Sequence, residues 1–274
     1  MSDVWDSAAP GWDANAELID AQLALATEAM LDAGAVARGS AVLELACGPG
    51  GAGLAAAERV GDSGRVLLSD SAPQMVAVAA RRAQARPWVS TAVFGQSEIA
   101  IENGQFDAVL ARHGLMFVED RAGAVREAAR VLRAGGRYAA MTWGLRAQNP
   151  WLGCILDAVG EQFGVSFPPP EVPGPFSLED PELLGSILRE GGLQDVRVQS
   201  FSTPMGADSL QAWWERVPKL AGPLASALAA MEPGVGEAIE ERALAAGERC
   251  SRREADGIVF AGSVLIGSGS APGR

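Results

Sequence analysis

The sequence is most informative first in what it has little of. Of 274 residues only one is lysine (Lys219), one histidine (His113), one tyrosine (Tyr138) and three cysteine. A catalytic lysine would have to be Lys219, so most Schiff-base chemistry is disfavoured. Cys47, Cys154 and Cys250 form an odd set without a Cys-x-x-Cys pair, which excludes a disulfide scaffold and fits a reducing compartment. No apolar run reaches about 18 residues, and the opening MSDVWDSAAPGWD lacks the basic and apolar regions of a secretion signal. The expectation is a cytosolic, cytoplasmic protein with no membrane partner. Positive charge is also scarce: 22 basic residues face 34 acidic ones, a net −12. Nucleic acid is therefore an unfavourable partner.

What is present is alternation. Short apolar runs at 41–46, 64–70, 89–94, 106–111 and 136–143 are separated by Ala-rich stretches of helical period at 50–60, 73–85 and 120–132. That rhythm predicts βα units and a sheet whose strands are buried on both faces. Ala134-Gly135-Gly136 reads as the C-cap of the helix at 120–132. Residues 14–33 predict a helix with Leu18, Leu25, Ala29 and Leu31 on one face, capping the sheet's end. After Trp143 the rhythm changes. Five prolines fall in 166–176, an extended segment read as a lid or wall. It is followed by a helix near 180–190, a strand near 193–202, helices within 208–230 and 234–249, and a last strand at 257–266. The fold class expected is α/β: a Rossmann-like, mostly parallel seven-stranded sheet with helices on both faces and one antiparallel strand. The expected division is a helical cap over 1–38, a cofactor-binding core over 39–145, lid helices and completing strands over 146–266, and a disordered tail over 267–274.

The chemistry concentrates at 42–53, VLELACGPGGAG, a strand running through glycines into a helix. Gly48, Gly50 and Gly53 satisfy G-x-G-x-x-G, and Asp70 ends the next strand 22 positions after Gly48. Such a turn takes a ligand at a helix amino end, and the carboxylate suits a ribose diol. A dinucleotide would set its pyrophosphate over a turn preceded by Glu44, whereas a sulfonium ligand gains from that carboxylate. One charge pair at 5–6 Å and an effective dielectric near 20 is worth about 3 kcal/mol before desolvation. The sign favours the sulfonium. Glu44 read blandly is a solvated strand-end carboxylate, and Asp70 a helix N-cap, a role it could combine with ribose binding.

These residues resemble a known family. ELACGPGG at 44–51 resembles motif I of class I S-adenosylmethionine-dependent methyltransferases, with Cys47 at the first glycine position. SDSAPQM (69–75), GQSEI (95–99), FDAVLARHGLMF (106–117) and RVLRAGGR (130–137) extend the likeness, in order, to the branch containing quinone-ring and other small-molecule methyltransferases. The resemblance implies S-adenosylmethionine as cofactor and S-adenosylhomocysteine as product. It implies that the carbonyls of Ala46 and Arg112 face the ammonium with Glu44 nearby, and that Gly48 and Gly50 admit the methionyl backbone. Asp70 would take the ribose, Ser71 and Met75 the adenine face, Gln96 the adenine amino group in place of the usual Asp, and Ser97 the ring through its N–H.

Trp5 and Trp12, read as preceding the first helix, offer an aromatic to close over the cofactor, Trp12 first. His113 after the fourth strand is the candidate general base, against a purely structural histidine bonded to loop carbonyls. Trp143, Trp151, Trp213 and Trp214 are candidates for an acceptor pocket, against ordinary core positions. Cys47 reads as a small packed side chain. Nothing argues for a metal. The expected reaction is methyl transfer to an O, C or N atom of a small, fairly apolar acceptor. A nicotinamide oxidoreductase and a cofactor-binding protein without methyl transfer are the alternatives; the Tyr-x-x-x-Lys route is closed because Thr142 follows Tyr138 by four. The C-terminal helices and last strand leave surface for a homodimer.

Overall fold

The structure, a computed structural model, describes residues 2–169 and 172–273. The chain opens with two helices, α1 (Ser2–Gln22) and α2 (Ala24–Ala33). It then alternates β1 (Ala41–Leu45), α3 (Gly51–Val60), β2 (Arg65–Asp70), α4 (Pro73–Ala83), β3 (Val89–Val93), β4 (Phe106–Arg112), α5 (Arg121–Val131) and β5 (Leu132–Trp143). There follow α6 (Pro150–Phe163), α7 (Pro181–Glu190), β6 (Gln194–Ser202), β7 (Met205–Ala207), α8 (Leu210–Leu220), α9 (Gly222–Ala229) and α10 (Pro233–Cys250). The chain closes with β8 (Ser251–Glu254), β9 (Gly257–Phe260) and β10 (Ser263–Ser270).

Seven strands form one sheet in the order β3-β2-β1-β4-β5-β10-β6, parallel except for β10, which runs against both its neighbours. The mostly parallel seven-stranded α/β sheet with one antiparallel strand is the arrangement expected from the alternation. Every residue of β1 is buried, as a strand covered on both faces must be. The chain winds outward from β1 to β3, then returns to place β4 on the other side of β1. Order reverses between β1 and β4, and the crevice above their carboxyl ends is where such sheets bind ligands.

Several local expectations are corrected. The amino-terminal helix begins at Ser2, so Trp5 and Trp12 lie on α1 instead of ahead of it. A break at Leu23 gives α2 its own face of Ala26, Thr27, Met30 and Leu31, leaving Leu25 87% exposed and Leu18 40% exposed. The expected single stripe assumed one continuous helix. Gly135, with φ +73°, does not cap α5, which ends at Val131. It sits inside β5 where the register against β4 shifts, so the glycines serve a bulge. The stretch read as one last strand is two: β9 joins β7 and β8 in a small second sheet, and β10 enters the main one. The tail is also corrected, because Gly267–Ser270 pair with β5 and Ala271 bonds Gly136. Only Arg274 of that tail lies outside the described residues, as do Pro170 and Glu171 of the proline-rich segment.

Just beyond that segment the chain runs along the carboxyl edge of β4 and β5. Ser177 donates to the Met116 carbonyl at 2.8 Å, and Thr142 donates to the Leu178 carbonyl at 3.3 Å. It forms a wall beside the crevice.

Candidate active site

Beyond Leu45 the chain must leave a fully buried strand and start a helix within six residues. It does so with left-handed backbone at Ala46 (φ +50°), Gly48 (φ +52°) and Gly50 (φ +86°). Alanine in that region costs about 1 kcal/mol, which bonds from Cys47 N–H to Ser69 O and from Gly50 N–H to Cys47 O help to offset. Gly48 and Gly53 are glycine for opposite reasons. A Cβ on Gly48 would meet nothing within 4 Å, so the turn presents open backbone there. A Cβ on Gly53 would overlap Leu68 and come 2.6 Å from Glu44 Oε2, so helix and sheet touch only because it is absent.

Glu44 is buried beneath that turn, and its Oε2 accepts the Gly53 N–H at 2.7 Å. Burial pushes its carboxyl up to about 7, more than the nearby Arg112 guanidinium and the Gly53 bond pull it down. At neutral pH it thus carries a fractional charge and anchors the start of α3 from below. Arg112, expected to act through its carbonyl, uses its side chain structurally: it donates to Asp20 at 2.9 Å and Thr27 at 3.2 Å. The other Asp20 oxygen accepts from Arg82 at 2.7 Å, and Arg82 donates to the Pro49 carbonyl at 2.8 Å. This bridge from α1 to the glycine turn was not foreseen, since nothing in the sequence distinguishes Asp20 from other surface carboxylates of α1.

Asp70 is not the N-cap of α4, a position that Ala72 takes. One oxygen accepts the Gly48 N–H and the other the Ala72 N–H, both at 2.9 Å, so it binds the turn to the entry of α4. Burial raises its carboxyl above the usual range, against the lowering effect of those N–H groups. Each oxygen keeps a further lone pair for a hydroxyl. Ser71 and Ser97 are exposed at the rim. Met75 is buried in a small cluster with Ala72, Ala8 and Ala9, against which Trp5 and Trp12 pack. Trp12 also donates its indole N–H to the Leu220 carbonyl at 3.0 Å, tying α1 to the end of α8. Gln96 is buried, its amide nitrogen lies beside Gly114, and its Oε1 has no hydrogen-bond partner among the described residues. The loop that carries it is pinned from α5: Glu127 accepts the Ile99 N–H at 3.2 Å, and Arg130 donates to the Ile99 carbonyl at 2.8 Å.

His113 follows β4 with φ +57° and donates its backbone N–H to Met141 O at 2.8 Å. Its ring stacks on Trp143 with centroids 3.9 Å apart and planes 15° from parallel. Both ring nitrogens are buried without partners among the described residues, so it does not bond the described loop carbonyls. Burial first, and the Arg112 charge second, lower its pKa well below the ordinary 6.5; the imidazole is neutral at physiological pH. Trp151 meets Trp143 edge-on at 4.8 Å and donates to Asn149 Oδ1 at 3.1 Å. Asn149 in turn holds the carbonyls of Gly144, Leu145 and Ser263. Trp213 donates to the Trp151 carbonyl at 2.7 Å and packs at a tilt against Phe260 inside the core, so it supports the wall without facing an acceptor. Trp214 is half-buried. Cys47 is buried and its thiol is raised by that burial, as suits a packed side chain.

A profile described as "Methyltransferase domain" matches residues 43–140, which is the segment carrying this geometry. Residues 43–140 are thus similar to methyltransferase domains. The chain is 32% identical over 131 residues to the ubiquinone/menaquinone biosynthesis C-methyltransferase UbiE of Azotobacter vinelandii, covering 47% of this chain and 51% of that protein. It is 40% identical over 108 residues to an uncharacterized 37.1 kDa protein of transposon TN4556 from Streptomyces fradiae, covering 39% of this chain and 31% of that one. The chain therefore spans a third to a half of the length of these relatives. Among solved structures, the YcgJ protein of Bacillus subtilis superposes with a TM-score of 0.58 at 16% identity, over 92% of this chain and 99% of that one, a likeness of fold.

Proposed function

We propose that the protein transfers a methyl group from S-adenosylmethionine to a hydroxyl, or to a C or N atom, of a small and fairly apolar acceptor. The observation that carries this reading is the open space and the spare acceptors around the crevice. Gly48, whose N–H is spent on Asp70, leaves room beside the turn, Gln96 Oε1 is buried without a donor among the described residues, and Asp70 keeps lone-pair capacity beside them. Those three suit, in order, an amino-acid end, an adenine amino group and a ribose diol, all parts of one cofactor. Ala46, Gly50 and the Arg112 carbonyl would border the amino-acid end, while Ser71, Ser97 and Met75 would border the base. Trp12 would hold α1 over the bound nucleoside. Glu44 would act from behind the turn and not as a direct ligand, so the electrostatic preference for a sulfonium falls mainly to Asp70.

When bound, the cofactor would supply an electrophilic methyl carbon. The protein's share is then to orient the acceptor, exclude water and, for a hydroxyl acceptor, receive a proton. Of the two unpartnered nitrogens of a neutral His113, the one without a proton can accept it; burial lowers the ring's basicity, so the proton would leave in step with attack on the methyl carbon, most readily from an acidic hydroxyl such as a phenol. Trp143 fixes the ring from one face.

The short-chain type of nicotinamide oxidoreductase gains no support, because Tyr138 is buried in β5. Isothermal titration separates the readings: micromolar binding of S-adenosylhomocysteine and none of NADH is expected. Saturable NADH binding without the sulfur ligand would overturn the proposal. Methyl-labelled cofactor offered with a panel of simple phenols then reads transfer itself.

A further inference from the structure

The three thiols are far from equivalent. Cys47 lies under the glycine turn, whereas Cys154 and Cys250 meet across two packed helices. Cys154 stands on the first turns of α6 and is buried; Cys250 is the last residue of α10 and is exposed. α10 packs on α6, and a hydrogen bond from Arg242 on α10 to Gln162 on α6 sets their register. In an antiparallel pair so registered, Cys250, eight residues after Arg242, falls opposite Cys154, eight residues before Gln162. Nothing in the methyl-transfer reading uses either thiol.

We propose that Cys154 and Cys250 form a reversible intramolecular disulfide that clamps α10 onto α6 in response to small-molecule disulfides. Cys250, exposed, attacks first: its thiolate displaces one thiolate from a low-molecular-weight disulfide and leaves a mixed disulfide on Cys250. Cys154 then releases its proton to solvent and attacks the Cys250 sulfur, expelling the second small thiolate. The net change is two protein thiols oxidised and one small disulfide reduced to two thiols, so electrons and protons balance. The second step is the slow one. Burial and the neighbouring Cys250 push the Cys154 thiol up to about 12, while the Arg249 guanidinium beside it works in the opposite direction.

The position gives the clamp a consequence. Cys154 lies one helical turn after Trp151, the residue that meets Trp143 edge-on. Gly247, one turn before Cys250, lies so close to Trp213 that a Cβ there would come 2.7 Å from its ring. Trp213 holds the Trp151 carbonyl. Both ends of the clamp therefore bear on the support of one wall tryptophan.

Treatment of the purified protein with oxidised glutathione, followed by intact mass and peptide mapping, tests this. The expected product is lighter by about 2 Da, with free thiols falling from three to one and a Cys154–Cys250 linkage in the map. Dithiothreitol should reverse it, and the oxidised form should melt about 5 °C higher because the link closes a long loop. Cys154→Ser should stop at the glutathione adduct on Cys250, and Cys250→Ser should not react. Retention of all three thiols, an adduct on Cys250 that never resolves in the wild type, or disulfide-linked dimers would each overturn the proposal. None of these readouts depends on methyl transfer, so the clamp and the activity fail or stand separately.

Discussion

Two strand ends face each other across the crevice, and they treat polar atoms in opposite ways. At the end of β1, Glu44 spends an oxygen on Gly53, and Arg112 reaches over from the last position of β4 to bind Asp20 and Thr27. At the end of β4, both nitrogens of His113, and Oε1 of Gln96 close to the neighbouring Gly114, are buried without partners among the described residues. A buried group left unpaired costs about 1–3 kcal/mol. The β1 side is built to hold the turn, and the β4 side keeps its hydrogen bonds in reserve for what binds there.

The largest expected effect breaks the β1 side. Gly53→Val would drive a branched side chain into Leu68 and Glu44, where even a Cβ overlaps. A loss of about 4 kcal/mol in folding stability, with no detectable S-adenosylhomocysteine binding, is expected from urea titration and calorimetry. Retained affinity would show that the turn tolerates separation from the sheet.

Next in size is the pH dependence of stability, where the two ends oppose each other. Glu44 titrates at about 7 in the fold against an ordinary 4.5, so the folded state holds the extra proton between those values. Stability from this group is present below pH 4.5 and is lost as pH rises to about 7, a total of about 3 kcal/mol. His113 has the reverse sign. Its folded pKa lies well below 6.5, so its contribution is full above 6.5 and is lost as pH falls. Between pH 5 and 6.5 the slopes partly cancel in the wild type. Glu44→Gln should therefore leave a protein that weakens on acidification below 6.5, and melts across pH 5–8 will show it. An unchanged profile would mean that the carboxylate is better solvated than its burial implies.

His113→Phe sharpens the comparison from the other side. The ring can still stack on Trp143, but no nitrogen remains to receive a proton. A fall of about 100-fold in kcat for a hydroxyl acceptor is expected, with S-adenosylhomocysteine affinity unchanged. Stability at pH 5–6 should rise, because the unpaired imidazole is gone. Unchanged kcat would assign His113 to shaping the wall.

The contrast also explains what the sequence could disclose. The sheet was legible because parallel strands buried on both faces read as apolar runs, and the glycine turn because Gly48, Gly50 and Asp70 keep a spacing set by one βαβ unit. Asp20 and Arg82 were not legible. Their role depends on α1 crossing onto α4 and the turn, a tertiary event that leaves no local pattern. Nor was the split of 257–266 into β9 and β10, since Ala261-Gly262 interrupts the run by only two residues. His113 was noticed for being the sole histidine, yet its lack of partners is a property of packing that no spacing encodes.

The smallest effect is also the most discriminating. Gln96→Leu removes the unpaired Oε1 while keeping much of the side chain's bulk. If the β4 side withholds its hydrogen bonds for a ligand, the two consequences must have opposite signs. The free protein gains about 1 kcal/mol, since an unmet acceptor is replaced by apolar surface. S-adenosylhomocysteine binding weakens about tenfold, since the adenine amino group loses its acceptor. Both follow from thermal melts with and without the ligand. A variant that loses stability and affinity together would mean that Gln96 is ordinary structure, and the division between the two strand ends would fail at its weakest point.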